Sequence, residues 1–194
     1  MYKNNLYITH FKPLIDFCSA LIGFILLFPT FVLICLILFF FNHRKVFFKQ
    51  KRPGKNKQNF TLYKFVTMDD NEQVTPIGTF LRKYSLDEIP QLLNVIKGEM
   101  SLIGPRPLLP EYLALYTDYQ SQRHDILPGI TGLAQVKGRN QLSWQHRFRY
   151  DVFYVKNQSI CLDLYILKIT IKNLFSRKKI KEAGVLIEKF KGNK

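Results

Sequence analysis

Phe17-Cys-Ser-Ala-Leu-Ile-Gly-Phe-Ile-Leu-Leu-Phe-Pro-Thr-Phe-Val-Leu-Ile-Cys-Leu-Ile-Leu-Phe-Phe-Phe41 is a run of 25 residues without a charge. As a straight helix it reaches about 37 Å, longer than the roughly 30 Å hydrocarbon core of a bilayer. Hydropathy alone reads it as one transmembrane helix. It is too long for a signal peptide, and no small-residue cleavage site follows. Two features oppose a full span. Pro29 stands near the middle, where an interior proline removes one hydrogen bond and kinks the helix. Both flanks are basic: Lys3 and Lys12 before, Arg44, Lys45, Lys49, Lys51 and Arg52 after. The positive-inside rule pulls both ends to the same side. A re-entrant helix–break–helix over 14–41, with Pro29 as the membrane break, satisfies both features. Asp16 then sits at headgroup depth.

Outward from this run the chain is strongly basic. It has 194 residues, enough for one domain with a modest core, with 29 Lys and Arg against 14 Asp and Glu and a net charge of +15. That balance implies a polyanionic partner: nucleic acid, anionic lipid or a phosphorylated substrate. Cys18, Cys35 and Cys161 form no CxxC or Cys/His cluster, and the four histidines have no metal-ligand spacing. Neither a disulfide framework nor a zinc site is expected.

Residues 42–68 hold eight Lys or Arg and no acid. Val46–Gln50 and Phe60–Phe65 read as strands, and Arg52–Gln58 as the turn of a hairpin. This patch suits a membrane-surface anchor, worth about 1 kcal/mol per basic residue near anionic lipid, and suits substrate contact equally well. Thr75 caps a short helix that has Pro76 at its first position.

Leu81-Arg-Lys-Tyr-Ser-Leu-Asp-Glu-Ile-Pro-Gln-Leu-Leu-Asn-Val-Ile-Lys-Gly-Glu-Met-Ser-Leu-Ile-Gly-Pro-Arg-Pro107 follows. Ile89, Leu92, Leu93 and Ile96 share one helical face. Ser85–Glu88 has the form of a capping box, and acids in a first turn favour the helix dipole. Pro90 argues against a helix running straight from Ser85. A late start leaves Asp87 and Glu88 at a helix entrance, as a cap or as a site.

Leu109–Tyr119 reads as a helix whose Tyr112, Tyr116 and Tyr119 pack in the core or at a membrane interface. His124–Asn140 is a glycine-punctuated loop with Lys137 and Arg139 near its end. It is neither GxxxxGK[ST] nor GxGxxG, although glycines beside basic residues suit backbone approach to phosphate. Trp144, Phe148, Asp151 and Val155 share one face of the next helix. An acid on an apolar stripe needs a partner, usually Arg or Lys. In the last helix Leu164, Leu167, Ile171, Leu174 and Phe175 oppose Lys168, Lys172, Arg177, Lys178, Lys179 and Lys181. That is the pattern of an interfacial helix, or of a plain surface helix. The tail from Glu182 reads as loose.

Taken together these stretches resemble the bacterial sugar transferases, specifically the small monotopic phosphoglycosyl transferases, from Phe11 to about Phe175. The marks are Phe48-Lys-Gln-Lys-Arg-Pro-Gly54, Tyr63-Lys-Phe65 with Thr67-Met68, Ile77-Gly78, Leu81-Arg-Lys83, Ser85-Leu-Asp-Glu-Ile-Pro-Gln91, Asn94-Val95, Gly98, Met100-Ser101, Gly104-Pro-Arg-Pro107, Arg123-His124, Pro128-Gly-Ile-Thr-Gly132, Ala134-Gln135, Gly138-Arg-Asn140, Asp151, Tyr154 and Asp163. The departures are Val66 where Arg or Lys is usual, Leu133 where Trp is common, and Phe28 before Pro29 where a small hydroxyl residue is often seen.

The resemblance implies a UDP-sugar:undecaprenyl-phosphate sugar phosphotransferase. Such an enzyme moves a sugar phosphate from a UDP-sugar to undecaprenyl phosphate with Mg²⁺, and releases UMP. It is the first membrane step of glycan assembly. Asp87 is then the nucleophile of a covalent aspartyl intermediate, and Glu88 its partner, with both acids candidate metal ligands. The residues agree. An ordinary carboxylate is ionised at pH 7 and needs no base to attack. Anionic substrates demand cations nearby, and arginine clamps phosphate bidentately. The candidate substrate-binding residues are Arg52, Lys64, Arg82, Arg106, Arg139 and Asp151. Asp151 is expected to hold Arg106 or Arg139 in place.

The expected fold is mainly α with a small β-hairpin. Residues 1–41 are the N-terminal segment and re-entrant membrane helix. Residues 42–181 are a compact cytoplasmic catalytic domain with interfacial amphipathic helices, and 182–194 are a basic tail. The expected place is the cytoplasmic face of the bacterial inner membrane, against anionic lipid and not nucleic acid; a homodimer is compatible. The alternative is a membrane-tethered basic binding or scaffold protein without catalysis. It accounts for the charge, but not for the acidic pair, Gly-Pro-Arg-Pro or Asp151.

Overall fold

The computed structural model describes residues 6–42, 44–138, 141–174 and 189–192. A π-helical turn, Tyr7–Phe11, leads into α1, Lys12–Phe41. The segment Tyr7–Phe41 is long and apolar enough to cross a membrane by length and composition. Among its described residues, only a stripe through Lys12, Asp16, Ala20, Ile34 and Leu38 is buried. Leu26, Phe40 and Phe41 are more than 70% exposed. Apolar surface on this scale is covered by hydrocarbon or by another protein.

The break expected at Pro29 is absent, because α1 runs through it as one helix. Proline removes its own donor and crowds the carbonyl four residues back, but its fixed φ is helix-compatible, so a helix can bend there without ending. Rings from both sides of that weak turn pack together, with Phe24–Phe31 centroids 5.4 Å apart and Phe28–Phe31 6.5 Å. Phe28, where a hydroxyl residue is often seen, is part of this brace.

The hairpin is β1, Phe47–Pro53, and β2, Asn59–Phe65, antiparallel with Phe48 opposite Lys64. Both strands extend beyond the expected limits. Phe60 and Leu62 point inward at the two-residue period, so Lys64 follows them on the inward face. Helices α2, Pro76–Tyr84, and α3, Gln91–Ile96, come next, and Thr75 caps α2 by accepting from the Gly78 N–H. Two core clusters bind α1 to this body. Ala20 joins Phe60, Leu62, Val95 and Met100, while Ile34 and Leu38 join Phe65, Leu81 and Ile89.

A second sheet was not anticipated. Strand β3, Ser101–Ile103, pairs in parallel with β4, Gly129–Thr131, which lies inside the stretch expected to be a loop. A short helix α5, Leu133–Lys137, follows. The glycines serve backbone packing. A Cβ on Gly129 would stand 2.0 Å from the Gly104 nitrogen, and one on Gly132 2.1 Å from the Gly104 oxygen. The expected helix over 109–119 is instead a 3-10 segment, Pro110–Leu115, and α4, Asp118–Ser121. Its Tyr112 is core, buried against Phe148 and Phe190.

Helices α6, Trp144–Lys156, and α7, Ile160–Leu174, complete the body. Ile166 of α7 packs with Ile103, Leu133 and Tyr154, so Leu133 fills core space where tryptophan is common. Leu164, Leu167 and Ile171 of α7 stay exposed, as an interfacial face requires. Phe175, Arg177, Lys178, Lys179 and Lys181 lie outside the described residues. Of the tail expected to be loose from Glu182, only residues 189–192 are described, and there Phe190 is buried among aromatic rings.

Candidate active site

Asp87 and Glu88 lie on a 3-10 turn, Leu86–Glu88, between α2 and α3. Ser85 does not form the expected capping box. Its backbone is left-handed (φ 57°), it ends α2, and its side chain makes no capping hydrogen bond. Helix α3 starts only after Pro90, as the proline requires. The sharp reversal at Ser85 turns both carboxylates toward β2. Lys64 Nζ donates to Glu88 Oε1 at 2.7 Å and reaches Asp87 Oδ2 at 3.5 Å. Arg106 Nη2 donates to the same Glu88 oxygen at 2.9 Å.

The two acids are therefore unequal. Burial pushes the Asp87 carboxyl up, and the adjacent Glu88 charge adds to this against Lys64 and Arg106. Burial also works to raise Glu88, but the Lys64 and Arg106 charges outweigh it and hold it well below the usual carboxylate range. Glu88 is a fixed anion clamped between two cations. Asp87 makes only the longer contact to Lys64, so its carboxylate is the less engaged of the pair.

These residues open on a cavity of about 840 Å³, a volume typical of small-molecule sites. Arg52, Arg82, Arg106 and Asp151 also line it. Arg82 donates from Nε to Thr67 Oγ1 at 2.9 Å, and Val66 stands on the wall between them and β2. Arg52 donates to Gln50 Oε1 at 2.5 Å, while its buried Nε has no partner among the described residues. Burial and the neighbouring Arg106 charge pull its guanidinium down to about 10. Cations placed this close to one another suit an anionic occupant.

Asp151 is paired with Arg123 and not with Arg106. It accepts from Arg123 Nε at 3.1 Å and Nη2 at 2.8 Å, both groups being almost fully buried. Arg106 binds Glu88 instead, and Arg139 lies outside the described residues. The link from Asp151 to Arg106 is indirect: Arg123 Nη2 donates to the Arg106 carbonyl oxygen at 2.6 Å. Gly129 N donates to the Pro105 carbonyl at 3.0 Å, fixing the other side of the same turn.

Arg123 and Arg147 were missed as cavity residues. Arg147 was within reach of periodicity, since Trp144, Arg147 and Asp151 recur at i, i+3 and i+7. Arg123 carried no spacing signal of its own. Among the described residues no cluster of three His, Cys, Asp or Glu could hold a metal. The acidic pair still fits Mg²⁺, which typically takes one or two carboxylates and completes its shell with substrate phosphate and water. Asp87 Oδ1 and Glu88 Oε2 remain free of protein partners among the described residues.

Residues 7–177 match the bacterial sugar transferase family. The chain is 49% identical over 160 residues to "Uncharacterized sugar transferase EpsL" of Bacillus subtilis, covering 76% of this chain and 79% of that protein. It is 44% identical over 110 residues to the undecaprenyl-phosphate galactose phosphotransferase of Salmonella typhimurium, covering 57% of this chain and 23% of that protein. It is 34% identical over 189 residues to the UDP-glucose:undecaprenyl-phosphate glucose-1-phosphate transferase of Xanthomonas campestris, covering 86% and 39%.

Proposed function

This chain belongs to the bacterial sugar transferase family, and from that premise we propose that it transfers a sugar phosphate from a UDP-sugar to undecaprenyl phosphate and releases UMP. The observation that carries the reading is the inequality of the acidic pair. Lys64 and Arg106 converge on Glu88, leaving Asp87 as the carboxylate available for attack in a cation-lined cavity.

An Asp87 oxygen attacks the phosphorus that bears the sugar. The O–P bond forms as the bond to the UMP oxygen breaks, and UMP leaves with that electron pair. A phosphate oxygen of the polyprenyl acceptor then attacks the same phosphorus. Asp87 is released as carboxylate, and the product is undecaprenyl-diphosphate-sugar. Covalent catalysis divides one displacement into two easier ones. Lys64, Arg106 and Arg52 offset the negative charge that gathers as anions approach an anion. Arg123 and Asp151 hold the Arg106 turn from behind. Mg²⁺, held by Asp87 and Glu88, would neutralise phosphate charge and orient the diphosphate.

The proposed location is the cytoplasmic face of the inner membrane. Helix α1 touches the catalytic body from Lys12, bonded to Asp163, to Leu38, packed with Phe65 and Leu81. Standing α1 upright through a bilayer would carry the body's charged residues into hydrocarbon at high cost. The exposed apolar sides of α1 and α7 instead suit insertion from one face.

The test is UMP release from a panel of UDP-sugars, with undecaprenyl phosphate in detergent micelles. One sugar should support turnover, and Asp87→Asn should abolish it while leaving the fold intact, because the amide is neither anion nor useful nucleophile. Turnover by Asp87→Asn near the wild-type rate overturns the assignment of Asp87. Phosphate-independent binding with no UMP from any donor favours a scaffold.

A further inference from the structure

Residues 189–192 lie beyond the 7–177 that match the family, yet they pack against the wall of the active-site cavity. Phe190 is 5% exposed. Its ring lies 5.1 Å from Phe148, 5.5 Å from Trp144, 5.7 Å from Tyr112 and 6.1 Å from Tyr116, centroid to centroid. Its backbone N–H donates to the Tyr112 hydroxyl at 3.2 Å. An edge-to-face geometry holds at Tyr112 and Phe148, with interplanar angles of 77° and 72°, the arrangement that aromatic quadrupoles favour.

Two members of this box touch cavity cations. The Arg147 guanidinium lies 4.6 Å from the Trp144 ring centroid, and both residues line the cavity. Arg123 donates to the Tyr116 hydroxyl at 3.4 Å and carries the Arg106 carbonyl. Phe190 thus stands directly behind the groups that orient Arg147 and Arg106. An arginine stacked on an aromatic face keeps its guanidinium plane fixed, and that fixing depends on the indole being held.

We propose that the C-terminal segment 189–192 acts as a strap, and that Phe190 is a positioning residue which holds Trp144 and Arg147 in the wall that binds the anionic donor. The inference rests on the UDP-sugar reading above for the identity of that donor. Its effect is on donor binding and not on the chemistry at Asp87, which lies on a different element.

Trp144 is the sole tryptophan of the chain, so its fluorescence reports on the box whether or not the protein turns over. The variants are Phe190→Ala, Phe190→Leu and a chain ending at residue 188, each assayed in the detergent used for wild type. Phe190→Ala and the shortened chain should red-shift Trp144 emission and make it more accessible to a soluble quencher. KM for the UDP-sugar should rise about tenfold while kcat changes less than about twofold, the signature of lost binding that is common to ground and transition states. Phe190→Leu restores apolar bulk and should recover part of the affinity. Unchanged emission in both truncating variants overturns the strap. Altered emission with an unchanged KM, or a fall in kcat alone that tracks loss of folded protein, makes Phe190 merely structural and overturns the positioning role. If the wild type releases no UMP from any donor, the donor reading falls first and takes this role with it. A wild type that turns over beside indifferent variants sinks the strap alone.

Discussion

The contrast between Asp87 and Glu88 is set by where Lys64 and Arg106 place their charges. Linkage gives the two acids opposite signs. Asp87 has its folded carboxyl raised, so it contributes stability that is full below its unfolded value and is lost as pH rises through the folded one. Glu88 has its folded carboxyl lowered, so it contributes stability above its unfolded value, lost as pH falls through the depressed one. Mild acid therefore silences Asp87 first. The acid limb of kcat/KM should lie above the ordinary carboxylate value of about 4. Lys64→Met removes the cation nearest both acids and should move that limb to still higher pH, which a pH–rate profile measures directly; an unmoved limb would mean that Lys64 does not tune Asp87. Arg106→Lys keeps the charge but loses the planar fork that reaches Glu88 and the cavity together. Its kcat/KM should fall by about tenfold or more, and unchanged kinetics would make Arg106 a structural residue only.

At the level of elements, a buried polar knot fastens α1 to the catalytic body. Asp163 of α7 accepts from Lys12 Nζ at 2.8 Å, Tyr7 Oη at 2.6 Å and Tyr154 Oη at 2.6 Å. Asp16 accepts from Ser101 Oγ at 2.6 Å and the Leu102 N–H at 3.2 Å. Strand β3 begins at that contact and leads within a few residues to Arg106. Lys12→Met breaks the pair and leaves Asp163 buried without its cation, which should cost about 3–5 kcal/mol. Thermal unfolding in detergent checks this, and a change below about 1 kcal/mol would place the knot in water. Asp16 and Asp163 show how far sequence reading reaches. Asp16 was read at headgroup depth from its place before the apolar run, but its partner is 85 residues away and no periodicity joins them. The hairpin, the Thr75 cap and the α6 face were legible because each is a local pattern. The β3–β4 sheet was not, because three-residue strands carry no alternation to detect and glycines mark both turns and close backbone packing. Asp87, Glu88, Lys64 and Arg106 were legible as candidates, while Asp151 was legible only as a residue that needed a cation. That the cation is Arg123 depends on tertiary packing.

Across the whole molecule, charge and apolar surface suit the proposed membrane reaction between two anions. The net charge of +15 favours an anionic surface, and α1 and α7 present exposed apolar faces. With α1 bound to the body along its length, both ends of the helix should lie on the cytoplasmic side. A cysteine at Asn4, with Cys18, Cys35 and Cys161 replaced, should resist an impermeant thiol reagent on intact spheroplasts and label after lysis; labelling from outside would show a spanning helix. The central claim is that Asp87 carries the sugar phosphate between donor and acceptor. Its most direct measurement is mass analysis of the protein after incubation with the active UDP-sugar and Mg²⁺, without undecaprenyl phosphate, under conditions that preserve acyl phosphates. The expected result is a mass increase equal to the sugar phosphate, mapped to the peptide holding Asp87, discharged on adding the polyprenyl phosphate and absent from Asp87→Asn. An unmodified Asp87 in an enzyme that turns over normally once acceptor is supplied, or an adduct on another residue, would contradict it.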